Sequence, residues 1–328
     1  MSNRISETWK NNQNQIISQY TYTYQPGDYL VSKTDPSSVV NYTWDIYGQL
    51  SSKSSGENYI FTGKRNLNTV TESNTIKELY IYDALGDRLK VQNADTITLN
   101  FPLGNDTSYE VKKEGTDTTV TKYISANGKY LAKTVKVNSN PEEKYFHHID
   151  LVGSIRAITD STGTVTASYE YEPFGVTIKT TGSDEDNLGF AGKRLDTGSG
   201  LSYFGARYYD ADMGRFISRD PVQDGRNWYV YCYNNPMNYV DPNGQQGQTA
   251  ALAGSLSWLC FIDGPLPIGD ILYGAIVGTS AALEYGPTVL NFTQDVIYLF
   301  ENTSNNLDKT SKKSDNGGHS NPKNKTNG

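Results

Sequence analysis

Short segments in which apolar and polar residues alternate recur along the chain, each closed by a Gly or an Asp/Gly turn. The clearest copies are Trp44-Asp45-Ile46-Tyr47-Gly48-Gln49-Leu50 and Tyr82-Asp83-Ala84-Leu85-Gly86-Asp87-Arg88-Leu89, with weaker relatives at 123–130 (YISANGKY) and 150–155 (DLVGSI). Each copy has the same physical grammar. An alternating strand, such as that holding Tyr80 and Tyr82, ends in Asp, whose carboxylate can accept from turn amides. Gly then takes the positive-φ corner, and an apolar residue such as Leu89 opens the return strand. The pattern predicts antiparallel β-hairpins. Gly163 and Gly175 predict two further turns, with Tyr169 and Tyr171 on one face of the strand between them. Gly48, Gly86 and Gly128 lie 38 and 42 residues apart, a drifting period that suits a meandering shell better than a strict solenoid.

Further along, Ser202–Tyr209 (SYFGARYY) predicts an aromatic strand interrupted at Gly205 by a bulge or a close backbone approach. Met213–Ile217 (MGRFI) repeats that design. Trp228–Tyr233 (WYVYCY) is a continuous apolar run that predicts a strand buried on both faces, with Cys232 as a small packed hydrophobe. Past Gly244 the pattern changes. The Gly/Ala-rich stretch 250–283 is broken by Asp263-Gly264-Pro265-Leu266-Pro267 into two runs of roughly 13 residues, short of the ~20 needed to span a bilayer. They predict two short helices that pack as a plug inside the shell or, alternatively, form a hairpin that helps a passenger across a membrane. A helix is expected over 289–300, and the Lys/Asn/Ser-rich segment 301–328 is expected to be disordered.

Composition agrees with a mainly β fold. Among 328 residues there are 25 Tyr and 30 Gly but only 3 Met, and Tyr favours half-buried pleated surfaces while Gly supplies corners. The length suffices for a real core. A net charge of −7 disfavours a nucleic-acid partner for the bulk of the chain. Two cysteines, Cys232 and Cys260, provide no disulfide framework. The first fifteen residues hold no apolar run that could serve as a secretory signal, so export would need a specialised machine or a longer parent chain. His147 and His148 are adjacent and point to opposite faces of a strand, with no further ligand at metal spacing, so no metal or other cofactor is assigned. His319, among lysines of the tail, reads as solvated rather than as part of a nuclease.

Three long segments then stand in one order: "HHIDLVGSIRAITDSTGTVTASYEYEPFG", "FAGKRLDTGSGLSYFGARYYDADMGRFISRDP" and "NWYVYCYNNPMNYVDPNG". Over residues 145–244 the sequence resembles the Rhs/YD-repeat family with its repeat-associated core, and the upstream hairpins extend the likeness to roughly Tyr42. The organisation expected is divergent YD-repeat hairpins over 1–144, the core segment over 145–244, an apolar and helical variable region over 245–300, and the tail. The resemblance implies a curved β-shell that encloses or presents a variable C-terminal polypeptide, often a toxin delivered to other cells. The partners implied are that passenger or the rest of a longer chain, an immunity protein, a component of a secretion machine, or a cell-surface carbohydrate. The place implied is the cell surface or outside, after a cytoplasmic stage.

Some members of that family cut themselves after the core with one Arg and two Asp. Motif by motif these fall on Arg207 of "GARYY", Asp220 of "RDP" and Asp241 of "DPNG", with Gly244 and Gln245 next to the cut. Two carboxylates that share a proton can divide the roles of acid and base, while an arginine holds one of them or polarises the carbonyl. Taken alone, Asp241-Pro242-Asn243-Gly244 and Asp220-Pro221 also read as plain turns. The family's large apolar residue after "DPxG" is Gln245 here. A competing reading is a surface protein whose Tyr rows face outward to bind carbohydrate without cleavage; another is an inert fragment with open sheet edges.

Overall fold

The computed structural model describes residues 3–249 except 64–65, 104–105, 127, 183–186, 224 and 246. The expected helices at 250–283 and 289–300, the tail and Cys260 lie outside the described residues.

The fold is mainly β. Seventeen strands follow one another: β1 (Ser6–Lys10), β2 (Ile16–Gln25), β3 (Tyr29–Thr34), β4 (Val39–Trp44), β5 (Leu50–Lys53), β6 (Glu57–Phe61), β7 (Leu67–Glu72), β8 (Thr75–Tyr82), β9 (Arg88–Gln92), β10 (Thr96–Leu103), β11 (Asp106–Glu114), β12 (Asp117–Ala126), β13 (Lys129–Val137), β14 (Glu143–Ile149), β15 (Ile155–Asp160), β16 (Val165–Tyr171) and β17 (Thr177–Gly182). Each pairs antiparallel with its sequence neighbour, from Ser6↔Thr21 in the first pair to Ala167↔Gly182 in the last. The sheet is continuous across residues 144–145, because Ala132 of β13 pairs with Phe146 of β14.

One turn recurs. At Asp45, Asp83, Asp150 and Asp160 the Asp N–H donates to the carbonyl four residues on, and the Gly three residues on donates back to the Asp carbonyl at 3.1–3.3 Å. The carboxylate accepts from the N–H groups two and four residues on, as at Asp45 from Tyr47 (2.9 Å) and Gln49 (2.8 Å). The chain makes the same turn with Asn11, where Asn14 takes the corner at φ 64°, and with Glu172 and Gly175. Gly128 differs. Ala126 pairs with Lys129 across it, so this is a two-residue hairpin, and the 38 and 42 spacing mixes two turn types. The structural unit is one hairpin: Tyr22, Tyr42, Tyr59 and Tyr80 lie 20, 17 and 21 residues apart on β2, β4, β6 and β8, and the 38-residue interval spans two such units.

Those tyrosines face inward. Together with Leu30, Leu50, Leu67 and Val91 of the odd strands they form one buried cluster, large side chains alternating with smaller ones so that the layer fills. The outward-facing Tyr rows of the carbohydrate reading are not observed on these strands. The apolar residue expected to open the strand after Gly86 is corrected as well: Tyr82 pairs with Arg88 as Trp44 pairs with Leu50, so the inward place belongs to Arg88 rather than to Leu89.

Against this face packs a second sheet, β18 (Arg194–Asp196), β19 (Leu201–Tyr203), β20 (Tyr208–Asp210) and β21 (Arg215–Phe216). Leu201, Tyr208, Met213 and Ile217 complete the Tyr/Leu cluster. Gly205 (φ 85°) does bring two backbones close, since a Cβ there would lie 3.4 Å from the Asn243 carbonyl oxygen. It marks a hairpin between two strands rather than a bulge in one, with Tyr203↔Tyr208 as the closing pair. The run 228–233 is not a strand. Val230 makes a lone bridge to Arg215, and Cys232, Tyr233 and Asn234 all adopt positive φ, a turn that no strand can contain. Its apolar side chains reach burial through an aromatic knot instead, Tyr231 and Cys232 packing with Phe204, Tyr209 and Phe216. The first strands and the last hairpin meet over Arg4, whose guanidinium lies 4.4 Å from the Tyr22 ring centre and 4.1 Å from that of Phe174.

Candidate functional site

Buried charges join the inner sheet to the shell. Arg88 pairs with Asp196, Arg194 with Glu110, and Lys53 with Asp210 at 2.6 Å. The Gly198 N–H donates to Glu78 at 2.9 Å. Burial pushes the Asp196 carboxyl up to about 7; Arg88 opposes this and the nearby Glu78 adds to it. The glycine corners of one rim receive the inner segment: Tyr229 Oη donates to the Gly48 carbonyl at 2.9 Å, and Phe190 lies against Gly175.

These anchors bring Arg207, Asp220 and Asp241 together. Arg207 leaves the β19–β20 hairpin with its guanidinium over the Phe216 ring, 3.6 Å from its centre. Its Nη2 lies 3.3 Å from Asp241 Oδ2 and 3.9 Å from Asp220 Oδ2, and all three residues are buried. Nη1 donates to the Trp228 carbonyl at 2.9 Å, and Nε donates to the Gly244 carbonyl. Burial pulls the Arg207 pKa below the ordinary arginine range, against the attraction of Asp220 and Asp241. Asp241 Oδ1 accepts from the Gln245 N–H at 3.0 Å. The Gly244–Gln245 peptide is therefore gripped at both ends, its oxygen by Arg207 and its N–H by Asp241. Upstream, the Ala206 N–H donates to the Asn243 carbonyl at 3.1 Å. A Cβ on Gly244 (φ 73°) would lie 3.0 Å from the Phe204 carbonyl oxygen and 3.1 Å from the Arg207 nitrogen, so the close fit needs glycine. Segment 241–245 is held mainly by its backbone.

The neighbours set the rest. Asp220 accepts from the Val222 N–H at 2.9 Å, and its own N–H donates to the Trp228 carbonyl at 3.0 Å. Cys232 lies buried beside the site, its thiol pKa raised by burial. Asn227, Arg226 and Tyr233 line the polar cleft with the three charged residues. His147 is buried against the Tyr130 carbonyl while His148 is exposed, on opposite faces as their adjacency requires. Nothing in the residue pattern marked Trp228 or Asn227 as part of the site, because a backbone acceptor and a buried amide leave no spacing signal.

A model of the teneurin YD-shell family matches residues 7–237. The chain belongs to the teneurin YD-shell family. This YD-shell chain is 30% identical over 272 residues to the tRNA3(Ser)-specific nuclease WapA of Bacillus spizizenii, an overlap that covers 79% of the chain and 11% of that protein. It is 29% identical over 246 residues to the double-stranded DNA deaminase toxin A of Burkholderia cenocepacia, covering 64% and 17% respectively. The chain thus spans less than a fifth of either relative. The crystal structure of TcdB2-TccC3 shares the fold, with a TM-score of 0.57 and 22% identity over 69% of this chain and 14% of that one.

Proposed function

We propose that this YD-shell segment carries a C-terminal toxic passenger for delivery outside the producing cell, and that Arg207, Asp220 and Asp241 sever the chain beside Gln245. The observation that carries the cleavage reading is the double grip on the Gly244–Gln245 peptide, with Asp220 facing the same guanidinium nitrogen as Asp241. The carrier reading is supported by relatives whose names assign them different activities, one a tRNA nuclease and one a DNA deaminase. The likeness to both extends over 79% and 64% of this chain, much of it within the residues that match the YD-shell model.

The hydrolysis balances with the groups present and one water. Water oxygen bonds to the scissile carbonyl carbon while one Asp takes its proton, and Arg207 stabilises the negative charge that develops near the gripped peptide. The C–N bond then breaks as the second Asp delivers a proton to the leaving nitrogen. The core is left with a carboxylate end and the released segment with an amino end. Backbone capture of residues 243–245 explains how Gln245 can stand where the family's apolar residue is expected.

The test is the intact mass of the purified chain beside Asp220→Asn and Asp241→Asn. The wild type should be cut on one side of Gln245, the mass showing which, and both variants should remain whole. A wild type of full mass would reduce the three residues to a structural clasp.

A further inference from the structure

The Trp228 carbonyl is the shared acceptor for Arg207 Nη1 (2.9 Å) and the Asp220 N–H (3.0 Å), so its position sets how the arginine and one carboxylate meet. Both residues flanking Trp228 are held by the shell. Tyr229 is fixed to the Gly48 carbonyl. Asn227 enters a knot with the chain's first described residue: its Nδ2 donates to Asn3 Oδ1 at 2.7 Å, and its Oδ1 accepts from Arg215 Nη2 at 3.1 Å. Arg215 also donates to Asn3 Oδ1 at 2.9 Å and to the Asp28 carbonyl at 3.0 Å, and Asn3 Nδ2 donates to Asp28 Oδ1 at 2.7 Å. Asn227 and Arg215 are buried, where a missing partner is felt most.

We infer that Asn3, Asp28, Arg215 and Asn227 are positioning residues for self-cleavage: the cutting geometry forms only once the N-terminal strands have closed on the inner sheet. Asn3 and Asn227 stand 224 residues apart, so no local preference of loop 220–228 can supply their contact. Severing is thereby tied to the docking of the strands around Asn3 and Asp28 on the inner sheet, which keeps the passenger attached until these two parts of the chain have packed together. This inference rests on the cleavage reading above.

The experiment follows the self-cleavage rate of the full chain below its unfolding temperature, with circular dichroism to confirm the fold. The variants are Asn3→Ala, Asn227→Asp, and Asn3→Asp combined with Asp28→Asn. Asp83→Ala serves as a control that weakens a turn outside the site. Asn3→Ala should slow cleavage about tenfold or more, the scale on which small misplacements act, while Asp83→Ala leaves the rate unchanged. The combined exchange keeps an oxygen at position 3 for Arg215 and Asn227 and reverses the donor to position 28, so it should restore the rate. Asn227→Asp, which keeps an acceptor oxygen for Arg215 but sets a carboxylate oxygen against Asn3 Oδ1 in place of the donor, should slow cleavage in a folded chain. Folded Asn3→Ala and Asn227→Asp variants that cut at the wild-type rate would overturn the coupling and leave the cleavage reading standing. A wild type that is never cut would overturn both.

Discussion

The hairpin sheet and the inner segment solve burial in different ways. In the sheet the units are stabilised largely by their own neighbours: at Asp45 a carboxylate satisfies its own turn, and inward Tyr residues alternate with aliphatic ones on the strands beside them. The inner segment, from Phe190 onward, is stabilised by its own aromatic packing and by contacts that reach as far as 224 positions along the chain. Its charges are buried and its aromatic rings pack edge to face, as Phe204 and Phe216 do at 88°. A repeating element tolerates drift because each unit repeats the same local bargain. The inner segment has no second copy, and its geometry exists only against the shell.

The largest expected effect comes from severing that long-range dependence. Arg88 stands where its sister hairpin has Leu50, and Asp196 is its partner. Arg88→Ala leaves the buried Asp196 without its cation and should destabilise the chain by about 3–5 kcal/mol in urea unfolding above pH 7, where that carboxyl is ionised. Lys77→Ala removes an exposed pair with Glu72 of the sheet and should lower stability by less than about 1 kcal/mol. Equal effects would erase the distinction between the regions.

The next effect is in pH. Asp196, held up to about 7 in the fold, retains a proton that the unfolded chain loses near its ordinary value of 3.8. Its contribution is full below that value and is lost as pH rises through about 7, with a slope of at most about 1.4 kcal/mol per pH unit for one proton. The Asp160 carboxyl in its turn has the opposite sign, lowered by hydrogen bonds from Thr162, and it acts below this window. Stability should therefore fall between about pH 4 and pH 7 in wild type, and Asp196→Asn should flatten that fall. An unchanged slope in the variant would show that Asp196 is ionised throughout.

The same division explains what could be read from the residues alone. The hairpins were legible because Asp, Gly and alternating Tyr act within five or so residues, and the turns at Asp45 and Asp83 form as that grammar requires. The true unit was hidden because intermediate copies lack the Asp/Gly signature: the turn after Tyr59 closes between Thr62 and Asn66. Residues 228–233 misled because apolar continuity signals burial, not conformation: Tyr231 and Cys232 are buried with Phe204 and Tyr209, yet Cys232–Asn234 form a left-handed turn. Arg207, Asp220 and Asp241 were identifiable from the family's motif order. The Trp228 carbonyl and the Asn3 knot were not, since they depend on which distant backbone the folded chain brings near.

Gly48 and Gly86 sharpen the comparison most finely, because they hold the same corner of the same turn at φ 77° and 100°. Above Gly86 there is open space, whereas a Cβ on Gly48 would lie 2.4 Å from Tyr229 Oη and 2.2 Å from Arg219 Nε. Gly86→Ala therefore carries only the backbone strain of positive φ, about 1 kcal/mol, and Gly48→Ala adds displacement of the inner segment, for about 2–3 kcal/mol in all. Arg219 can swing away, but Tyr229 is held by its hydrogen bond to the Gly48 carbonyl and by packing on Trp44 at 5.0 Å. Thermal unfolding of the two variants measures the difference directly. If they lose the same stability, the inner segment yields at this corner, and the rim contact that holds Tyr229, and with it the Trp228 carbonyl, is looser than its geometry implies.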